Sequence, residues 1–271
     1  MMNKSGIGFI GCGKMAQAII NGIATSKMKS KFKISAFDVD QATLTAACVR
    51  FKIKKETSNE AALNNCRIII IAVKPQSLAA VLEPLKAAVK PGHLFISIVA
   101  GASVEKIQSL LGSKCPVVRV MPNTPALVGQ GAAGYAFSSE VNADDKKISQ
   151  DILSTFCKVM VNVPESEINK VTALSGSGPA YVFYFAEAML EAASRLGFDL
   201  KDAKSLIAQT FKGSAELLEK SEDSPAVLRQ NVTSKGGTTE KALNVMDSAG
   251  LKESFIKAVI SAKERADELG K

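Results

Sequence analysis

A glycine turn between a short apolar run and a helical pattern is the feature that most constrains how this chain can fold. Residues 7–10 form a largely apolar run, which predicts a strand buried on both faces of a parallel sheet. Gly11, Gly13 and Ala16 then occupy the three small positions of the pattern G-x-G-x-x-G/A. The first position allows a tight turn, the second lets the backbone approach a pyrophosphate, and the third lets helix and strand pack closely. The turn therefore predicts a dinucleotide site at a helix N-terminus.

A second predicted strand supports this interpretation. Residues 33–38 predict a strand that ends in Asp38, and an acidic residue about 20 residues beyond such a turn binds the ribose hydroxyls. The alternative is that Asp38 only caps the next helix, but Asp40 is better placed for that role. Asp38 predicts a preference for NADH over NADPH, because its carboxylate would repel the negatively charged 2′-phosphate that only NADPH carries.

Strand and helix patterns alternate as far as residue 121. Repeated β-α units of this kind predict an α/β fold with a doubly wound, mostly parallel sheet. Ligands bind beyond the carboxyl ends of the strands in such sheets, so residues 73–76, 99–101 and 122–125 are expected to share one rim with the glycine turn. The further predicted strands are 67–73, 94–99 and 116–121, and the predicted helices are 41–50, 59–63, 77–89 and 103–111, the last capped by Ser103.

The pattern changes near Pro164. Beyond it the sequence shows no convincing strand and four long helical patterns, at 177–196, 201–220, 239–248 and 252–269. We therefore predict two domains, a dinucleotide-binding domain at 1–164 and a helical domain at 165–271. The helix at 177–196 is too apolar to be solvated. A bundle or a subunit interface is expected to bury it, and hence the chain is expected to form a dimer.

Charge and cysteine content argue against several other classes of protein. The formal net charge is +8, but the excess lies in residues 1–165, which hold 20 Lys and Arg against 11 Asp and Glu. The densest lysine cluster, at 27–33, is interpreted as a solvated loop near an anionic cofactor, so no nucleic-acid partner is expected. Five scattered cysteines without a C-x-x-C pair, together with a single histidine, predict neither a disulfide framework nor a metal site.

The same features set expectations for localisation. No apolar run is long enough to span a bilayer, and the first strand lies so near the N-terminus that no cleavable signal peptide is expected. We therefore expect a cytoplasmic protein without a membrane partner. Cys12, inside the glycine turn, is expected to be a small buried filler.

Two stretches rich in glycine and hydroxyl side chains interrupt the helical half. They lie at residues 174–181 and 231–240, and each leads into a predicted helix. Backbone N–H groups and the helix dipole at such a turn can hold a carboxylate. The alternative is that both stretches are only helix caps. Two such turns in one small domain favour carboxylate sites.

The residues suited to carbonyl reduction are missing from this sequence. Reducing a carbonyl develops alkoxide charge and needs a proton donor. None of the three tyrosines has a lysine four residues later, and no lysine lies between Lys170 and Lys201. A protonated imine is already cationic and accepts hydride without such a donor. The sequence therefore favours an imino acid as substrate.

These motifs resemble those of the pyrroline-5-carboxylate reductase family. The segment NVTSKGGTTEKALNVMD at 231–247 resembles the family signature, and AVKPQ at 72–76, MPNTPA at 121–126 and LSGSGPAY at 174–181 resemble its other characteristic blocks. The resemblance covers essentially the whole chain. It implies NAD(P)H-dependent reduction of Δ1-pyrroline-5-carboxylate to L-proline, the last step of proline biosynthesis. It also implies an N-terminal Rossmann domain and an all-α C-terminal dimerisation domain, whose dimers often assemble into decamers.

The resemblance also implies which residues form the site. Thr239 is the candidate catalytic residue, because its hydroxyl matches the group that hydrogen-bonds the ring nitrogen of the substrate. Together with the two glycine-rich turns, the predicted substrate-binding set is Glu165, Ser175, Ser177, Ser234, Gly236, Gly237, Thr238 and Thr239. The predicted cofactor-binding set is Gly11, Cys12, Gly13, Lys14, Met15, Ala16, Asp38, Asn59, Val73, Lys74, Pro75, Ile98, Val99, Ala100 and Asn231.

Two alternative functions remain open at this point. The nearer is another NAD(P)-dependent imine reductase or a β-hydroxyacid dehydrogenase-like enzyme, and the missing lysine after Gly178 argues against the latter. The other is a non-catalytic dinucleotide sensor, which would not need the second carboxylate-binding turn at 234–239.

Overall fold

The computed structural model describes residues 6–270, and their strands form one sheet. The sheet order is β3-β2-β1-β4-β5-β6-β7-β8. β6 and β7 are antiparallel, and every other neighbouring pair is parallel. The predicted α/β fold with a doubly wound, mostly parallel sheet is therefore confirmed. The strands are β1 Gly6–Ile10, β2 Lys33–Phe37, β3 Lys54–Lys55, β4 Ile68–Ile71, β5 Leu94–Ser97, β6 Val117–Pro122, β7 Gly131–Phe137 and β8 Cys157–Asn162.

Helices connect most of these strands, and the regular elements described after β8 are all helical. Ser103 caps α5 by accepting a hydrogen bond from the Lys106 backbone N–H, as predicted. The α-helices of the described residues are α1 Lys14–Thr25, α2 Gln41–Phe51, α3 Asn59–Asn65, α4 Leu78–Leu82, α5 Val104–Leu111, α6 Ala143–Leu153, α7 Ile168–Val171, α8 Gly178–Arg195, α9 Leu200–Lys220, α10 Pro225–Asn231, α11 Thr238–Ser248 and α12 Leu251–Gly270.

Strand β4 shows why the apolar runs lie inside the sheet. All four of its isoleucines are fully buried. Ile68 and Ile70 belong to one hydrophobic cluster, and Ile69 and Ile71 belong to another. Successive side chains of a strand point to opposite faces, so the two clusters are the cores on the two sides of the sheet. A continuous apolar run is what a strand covered on both faces requires.

The helix predicted at 77–89 is wrong as a single element. The structure has α4, which is only five residues long, followed by a 3₁₀ helix at Glu83–Ala88. Pro84 is the physical reason, because proline has no N–H to donate to the fourth residue before it and its ring collides with that carbonyl. The apolar spacing survives the change of helix type, since Leu82 and Leu85 are both buried.

The sequence patterns missed β7, α6 and β8. β7 reads GAAGYAF, whose glycines and alanines are poor strand formers. Packing explains two of them: a Cβ on Gly131 would lie 2.6 Å from the Phe156 carbonyl oxygen, and a Cβ on Gly134 would lie 2.6 Å from a methyl group of Val171. The glycines are present because another part of the chain comes too close for a side chain.

The four long helices predicted beyond Pro164 are confirmed as α8, α9, α11 and α12, with ends within two residues of the predicted ones. The short helix α10 was not predicted. No residue of α8 is buried in the single chain, and Phe183 and Tyr184 are 67% and 71% exposed. This helix therefore leaves a large apolar surface uncovered.

The chain forms two compact units. One comprises the described residues up to Pro179 together with those from Ala262 onward, and the other comprises Ala180–Ser261. The predicted boundary between residues 164 and 165 stays a prediction. None of the helices within residues 6–270 is both long enough and apolar enough to cross a membrane.

Candidate active site

The glycine turn after β1 has the geometry that its sequence predicts. Gly11 has a φ of +94°, and a Cβ there would lie 2.6 Å from the Ala72 carbonyl oxygen. Gly13 has an ordinary φ of −67°, and no heavy atom lies within 4 Å of the position its Cβ would take. The structure therefore requires a glycine at position 11 for folding, whereas Gly13 faces open space.

The start of α1 adjoins that open space. Gly13 is the N-cap residue of α1, and no side chain of the described residues caps it. The first N–H groups of a helix have no partner within the helix, so they are available to an anion here. This arrangement fits the pyrophosphate of a dinucleotide, because a side chain at position 13 would fill the space that the pyrophosphate needs.

Asp38 lies immediately after β2 and is fixed by two backbone groups. Its Oδ2 accepts a hydrogen bond from the Cys12 N–H at 2.6 Å, and its Oδ1 accepts one from the Asp40 N–H at 2.9 Å. Asp40 is the N-cap of α2 and accepts from the backbone N–H groups of Ala42 and Thr43. Hydrogen bonds from the Thr43 hydroxyl and backbone lower the pKa of Asp40. Capping is thus done by Asp40, which leaves Asp38 for another role.

Two adjoining cavities follow the carboxyl ends of the parallel strands. The first cavity, of about 420 Å³, includes Asp38 and Asn59, and the second, of about 260 Å³, includes Met15 and Ile98. They share Ala72 and Val73, which follow β4. The first cavity also includes the predicted residues Gly11, Gly13, Val73 and Lys74, and the second is completed by Met121, Pro122, Asn123, Thr124 and Gly176, which no site prediction named individually as ligand contacts.

The remaining predicted cofactor residues of this unit lie around the two cavities and line neither. Cys12, Ala16 and Val99 are buried in the hydrophobic cores. Lys14 is the first residue of α1 and is exposed, and Pro75 begins a 3₁₀ turn at Pro75–Ser77. Ala100 is half-buried after β5. Residues of this group that are buried can act on a ligand only through their backbone or through packing.

Cys12 is a core residue, as expected. Its side chain is fully buried, and its backbone N–H is the donor to Asp38. Burial raises the pKa of the Cys12 thiol to about 11, with smaller contributions from Cys48 and Asp38 in the same direction. The thiol is therefore protonated near neutral pH and does not act as a nucleophile.

Glu165 is held by a second polar cluster, next to β6. Its Oε1 accepts a hydrogen bond from the Val104 N–H at 2.7 Å and lies 3.4 Å from Nη1 of Arg119. Arg119 is almost completely buried, and its Nη2 donates to Oδ1 of Asn169 at 2.8 Å. Burial lowers the pKa of the Arg119 guanidinium, and the nearby Glu165 carboxylate opposes that shift. Arg119 was not predicted as a site residue, although a lone arginine within the apolar run VVRVM indicates a buried charge that needs a partner.

The stretch LSGSGPAY begins within a π-turn, Thr172–Gly176, and continues into α8. The Ser177 N–H donates to the Thr172 carbonyl at 2.8 Å, and Oγ of Ser175 accepts a hydrogen bond from the Asn123 side chain at 3.2 Å. A Cβ on Gly176 would collide with the terminal methyl group of Met121. This close approach brings the turn to the wall of the second cavity. π-turns of this kind are frequent at functional sites.

The second glycine-rich stretch lies in the other unit, where Asn231 ends α10. Gly236 has a φ of +74°, and Gly237 is the N-cap of α11, with no side-chain cap among the described residues. The Gly236 N–H donates to Oε2 of Glu240 at 2.7 Å, so this turn already holds a carboxylate of its own chain. Thr239 is half-buried in the first turn of α11, and Ser234 and Thr238 are exposed.

The sheet, the uncapped helix and the two rim cavities define the class of this protein. It is a dinucleotide-binding protein with a Rossmann domain and a helical C-terminal half. A family model described as pyrroline-5-carboxylate reductase dimerisation matches residues 165–269, and one described as NADP oxidoreductase coenzyme F420-dependent matches residues 6–101.

Full-length relatives then identify the family. The pyrroline-5-carboxylate reductase of Methanosarcina acetivorans is 38% identical over 100% of both chains, and that of Pseudomonas aeruginosa is 37% identical over 99% of this chain and 98% of its own. The solved reductase structure from Coxiella burnetii is 37% identical, with a TM-score of 0.87, and covers 99% of this chain and 100% of its own. The Plasmodium falciparum structure with NADP bound is 33% identical, with a TM-score of 0.88, and covers 100% of both. The chain belongs to the pyrroline-5-carboxylate reductase family, as its motifs predicted.

Separate alanine substitutions at Gly11 and Gly13 are expected to distinguish folding from cofactor binding. Gly11→Ala forces a left-handed φ and a collision with Ala72, and should lower the free energy of unfolding by about 1–3 kcal/mol. Gly13→Ala should lower that free energy by about 1 kcal/mol or less, because its methyl group meets no protein atom and the remaining cost is that of alanine at an N-cap. It should nevertheless raise the dissociation constant for NAD(P)H about tenfold or more, since the methyl group takes the space of the pyrophosphate.

Urea unfolding measures the first quantity and calorimetric titration measures the second. Tight NAD(P)H binding by Gly13→Ala, equal to that of the wild type, would contradict the assignment of the pyrophosphate to this turn.

Proposed function

We propose that this enzyme carries out the reaction of its family, reduction of Δ1-pyrroline-5-carboxylate to L-proline with NAD(P)H, through the residues described above. The observation that carries the proposal is the pair of cavities that share Ala72 and Val73, the first of which also includes Gly13 at the uncapped start of α1. They provide a continuous rim for the two halves of a dinucleotide. Asp38 and Asn59 line the cavity assigned to the adenosine ribose, and Met15 and Ile98 line the cavity assigned to the nicotinamide.

The apolar walls of the second cavity suit hydride transfer. Met15, Ile98 and Met121 place apolar side chains beside the space assigned to the nicotinamide, and a site from which bound reactants displace water would have stronger electrostatic interactions. NAD(P)H, when bound, supplies the hydride. The imine carbon of the protonated substrate gains that hydride, and its C=N bond becomes a single bond to a neutral nitrogen. No proton donor from the chain is needed during this step.

Substrate binding is assigned to the turn at residues 234–239. The backbone N–H groups of Thr238 and Thr239 at the start of α11 would hold the substrate carboxylate, because the Gly236 N–H is already used by a carboxylate oxygen of Glu240. Thr239, two residues after the N-cap of α11, would accept or donate a hydrogen bond at the ring nitrogen. In this assignment the chain orients the imine and stabilises the nitrogen as its charge is lost.

The chain has a dimerisation domain, and the exposed apolar surface of α8 agrees with pairing of two chains. We extend this to a decamer built from five dimers, as the family resemblance implies. We also place the enzyme in the cytoplasm. Its five free thiols, four of them buried, suit a reducing compartment.

Substrate choice tests the proposed reaction directly. The wild-type enzyme should oxidise NAD(P)H, followed as loss of reduced cofactor absorbance, when Δ1-pyrroline-5-carboxylate is present. Pyruvate and other 2-keto acids should give turnover lower by about two orders of magnitude or more, because the chain lacks a positioned proton donor for a developing alkoxide. Comparable turnover of a keto acid and the cyclic imine would contradict the proposal.

Thr239 is tested by removing its hydroxyl in two ways. Thr239→Ala and Thr239→Val should each lower kcat by about 10- to 1000-fold, as loss of one oriented transition-state hydrogen bond does. The valine variant keeps the volume and loses the oxygen, so it separates chemistry from packing. Thr210→Val is a matched control, because the Thr210 hydroxyl only donates to the Leu206 carbonyl within α9. Near-normal kcat in both Thr239 variants would show that this hydroxyl is not used.

Cofactor preference is assigned to Asp38, and we propose that NADH is preferred. The Asp38 carboxylate is fixed by the backbone of Cys12 and Asp40, so it cannot turn away from a 2′-phosphate. At about 4 Å and an effective dielectric constant of about 20, that repulsion is about 4 kcal/mol before solvent and salt reduce it.

The wild type should therefore show a lower KM for NADH than for NADPH, and Asp38→Ser should narrow or reverse the difference. Asp40→Ser is the matched control, since serine preserves the cap of α2 and removes a charge from the same cavity. It should change the ratio less than Asp38→Ser does. A tenfold preference of the wild type for NADPH in kcat/KM would overturn this role of Asp38.

A further inference from the structure

The side chain of Asn123 bridges β6, β7 and the π-turn before α8. Its Oδ1 accepts a hydrogen bond from the Ala132 N–H at 2.9 Å, and its own backbone N–H donates to the Ala132 carbonyl at 3.1 Å. A backbone N–H can only donate, so the amide oxygen of Asn123 must face Ala132. The amide NH₂ group must therefore point the other way.

That NH₂ group donates to Oγ of Ser175 at 3.2 Å. An amide nitrogen has no lone pair to offer, so Ser175 must be the acceptor in this contact. Its own O–H hydrogen is then not used by Asn123. Within residues 6–270, the Ser175 hydroxyl forms its one hydrogen bond with Asn123, and Ser175 is only half-buried. The hydroxyl hydrogen is therefore available to a ligand.

The location of this pair gives that hydrogen a function. Asn123 lines the second cavity, and so does Gly176, the residue after Ser175. The other walls include Met15, Ile98 and Met121, which offer no strong hydrogen-bond donor, and Thr124, which carries a second hydroxyl. In a mostly apolar cavity, a few fixed polar groups determine how a ligand is oriented.

We propose that Asn123 is a positioning residue that makes Ser175 an obligatory hydrogen-bond donor, and that Ser175 donates to a carbonyl or carboxylate oxygen of a reactant in the second cavity. That oxygen belongs either to the nicotinamide carboxamide or to the substrate carboxylate. The inference rests on the proposed function, since it takes the second cavity to be the place where the two reactants meet.

The first experiment removes the hydrogen-bond donor, the Ser175 hydroxyl. Ser175→Ala should weaken binding of the reactant that carries the acceptor by about 5- to 100-fold. Ser175→Thr keeps the hydroxyl and should recover most of that loss. Calorimetric dissociation constants for NADPH and for L-proline, together with the two KM values, identify the reactant. A change confined to NADPH assigns the carboxamide, and a change confined to L-proline and pyrroline-5-carboxylate assigns the carboxylate.

Reversing the hydrogen bond tests the role of Asn123. Asn123→Asp has nearly the same shape, and one of its oxygens can still accept from the Ala132 N–H. Its other oxygen would accept the Ser175 hydroxyl hydrogen and remove it from the ligand. Asn123→Asp should therefore weaken binding of the same reactant that Ser175→Ala affects. In the double variant with Ser175→Ala, the aspartate should add less than about a twofold further loss, because coupled sites are not additive.

Three results would overturn the inference. The first is normal binding of both reactants by Ser175→Ala, and the second is failure of Ser175→Thr to recover binding although it unfolds at the wild-type temperature. The third is that Asn123→Asp weakens binding by its full amount even in the Ser175→Ala background. The added aspartate charge would then act on the reactant directly and not through Ser175. A wild type that binds NADPH but does not reduce pyrroline-5-carboxylate would instead overturn the proposed function, and the NADPH titrations would still decide the role of Ser175.

Discussion

The close approach of Gly11 to the carbonyl of Ala72 is the constraint on which the rest of the site depends. It brings the end of β1 against the end of β4 with no room for a side chain, and the positive φ of Gly11 then directs the chain into α1. Because of this turn, the uncapped start of α1 faces the rim of the sheet. The two cavities at this rim share Ala72 and Val73. A side chain at position 11 would push β1 and β4 apart and would also displace α1.

Similar close contacts form the far wall of the site. Gly134 allows Val171 to pack onto β7, and Gly176 of the π-turn lies against the flexible end of the Met121 side chain at the end of β6. The residues between β8 and Pro179 thereby pack against the rim of the sheet within one compact unit. The hydroxyl of Ser175 and the amide of Asn123 meet only because this packing holds the two segments together.

In the proposed function, the polar groups of this site orient the reactants and supply no proton. Asp38 is held by two backbone N–H groups, and Glu165 is held by the Val104 N–H and by Arg119. Fixed carboxylates of this kind can position a ligand, because their own geometry does not change when it binds. A substrate that is already a cation suits such a site, since its reduction removes charge and requires no acid from Thr239 or any other residue.

The sequence by itself determined the fold class, the family and the parts of the site that lie in short continuous motifs. The glycine turn, the strand ending in Asp38 and the SKGGTT turn were readable because each is local, and local backbone requirements restrict residue type directly. Tertiary structure decided what depends on contacts between distant segments. The glycines of β7 hid this strand from sequence analysis, because they are required by the close approach of Val171 and Phe156, which are distant in the chain. Pro84 divides a helix whose apolar spacing looks continuous in the sequence. The bridge from Asn123 to Ser175 joins residues 52 apart in the chain, and only the fold brings such residues within hydrogen-bond distance.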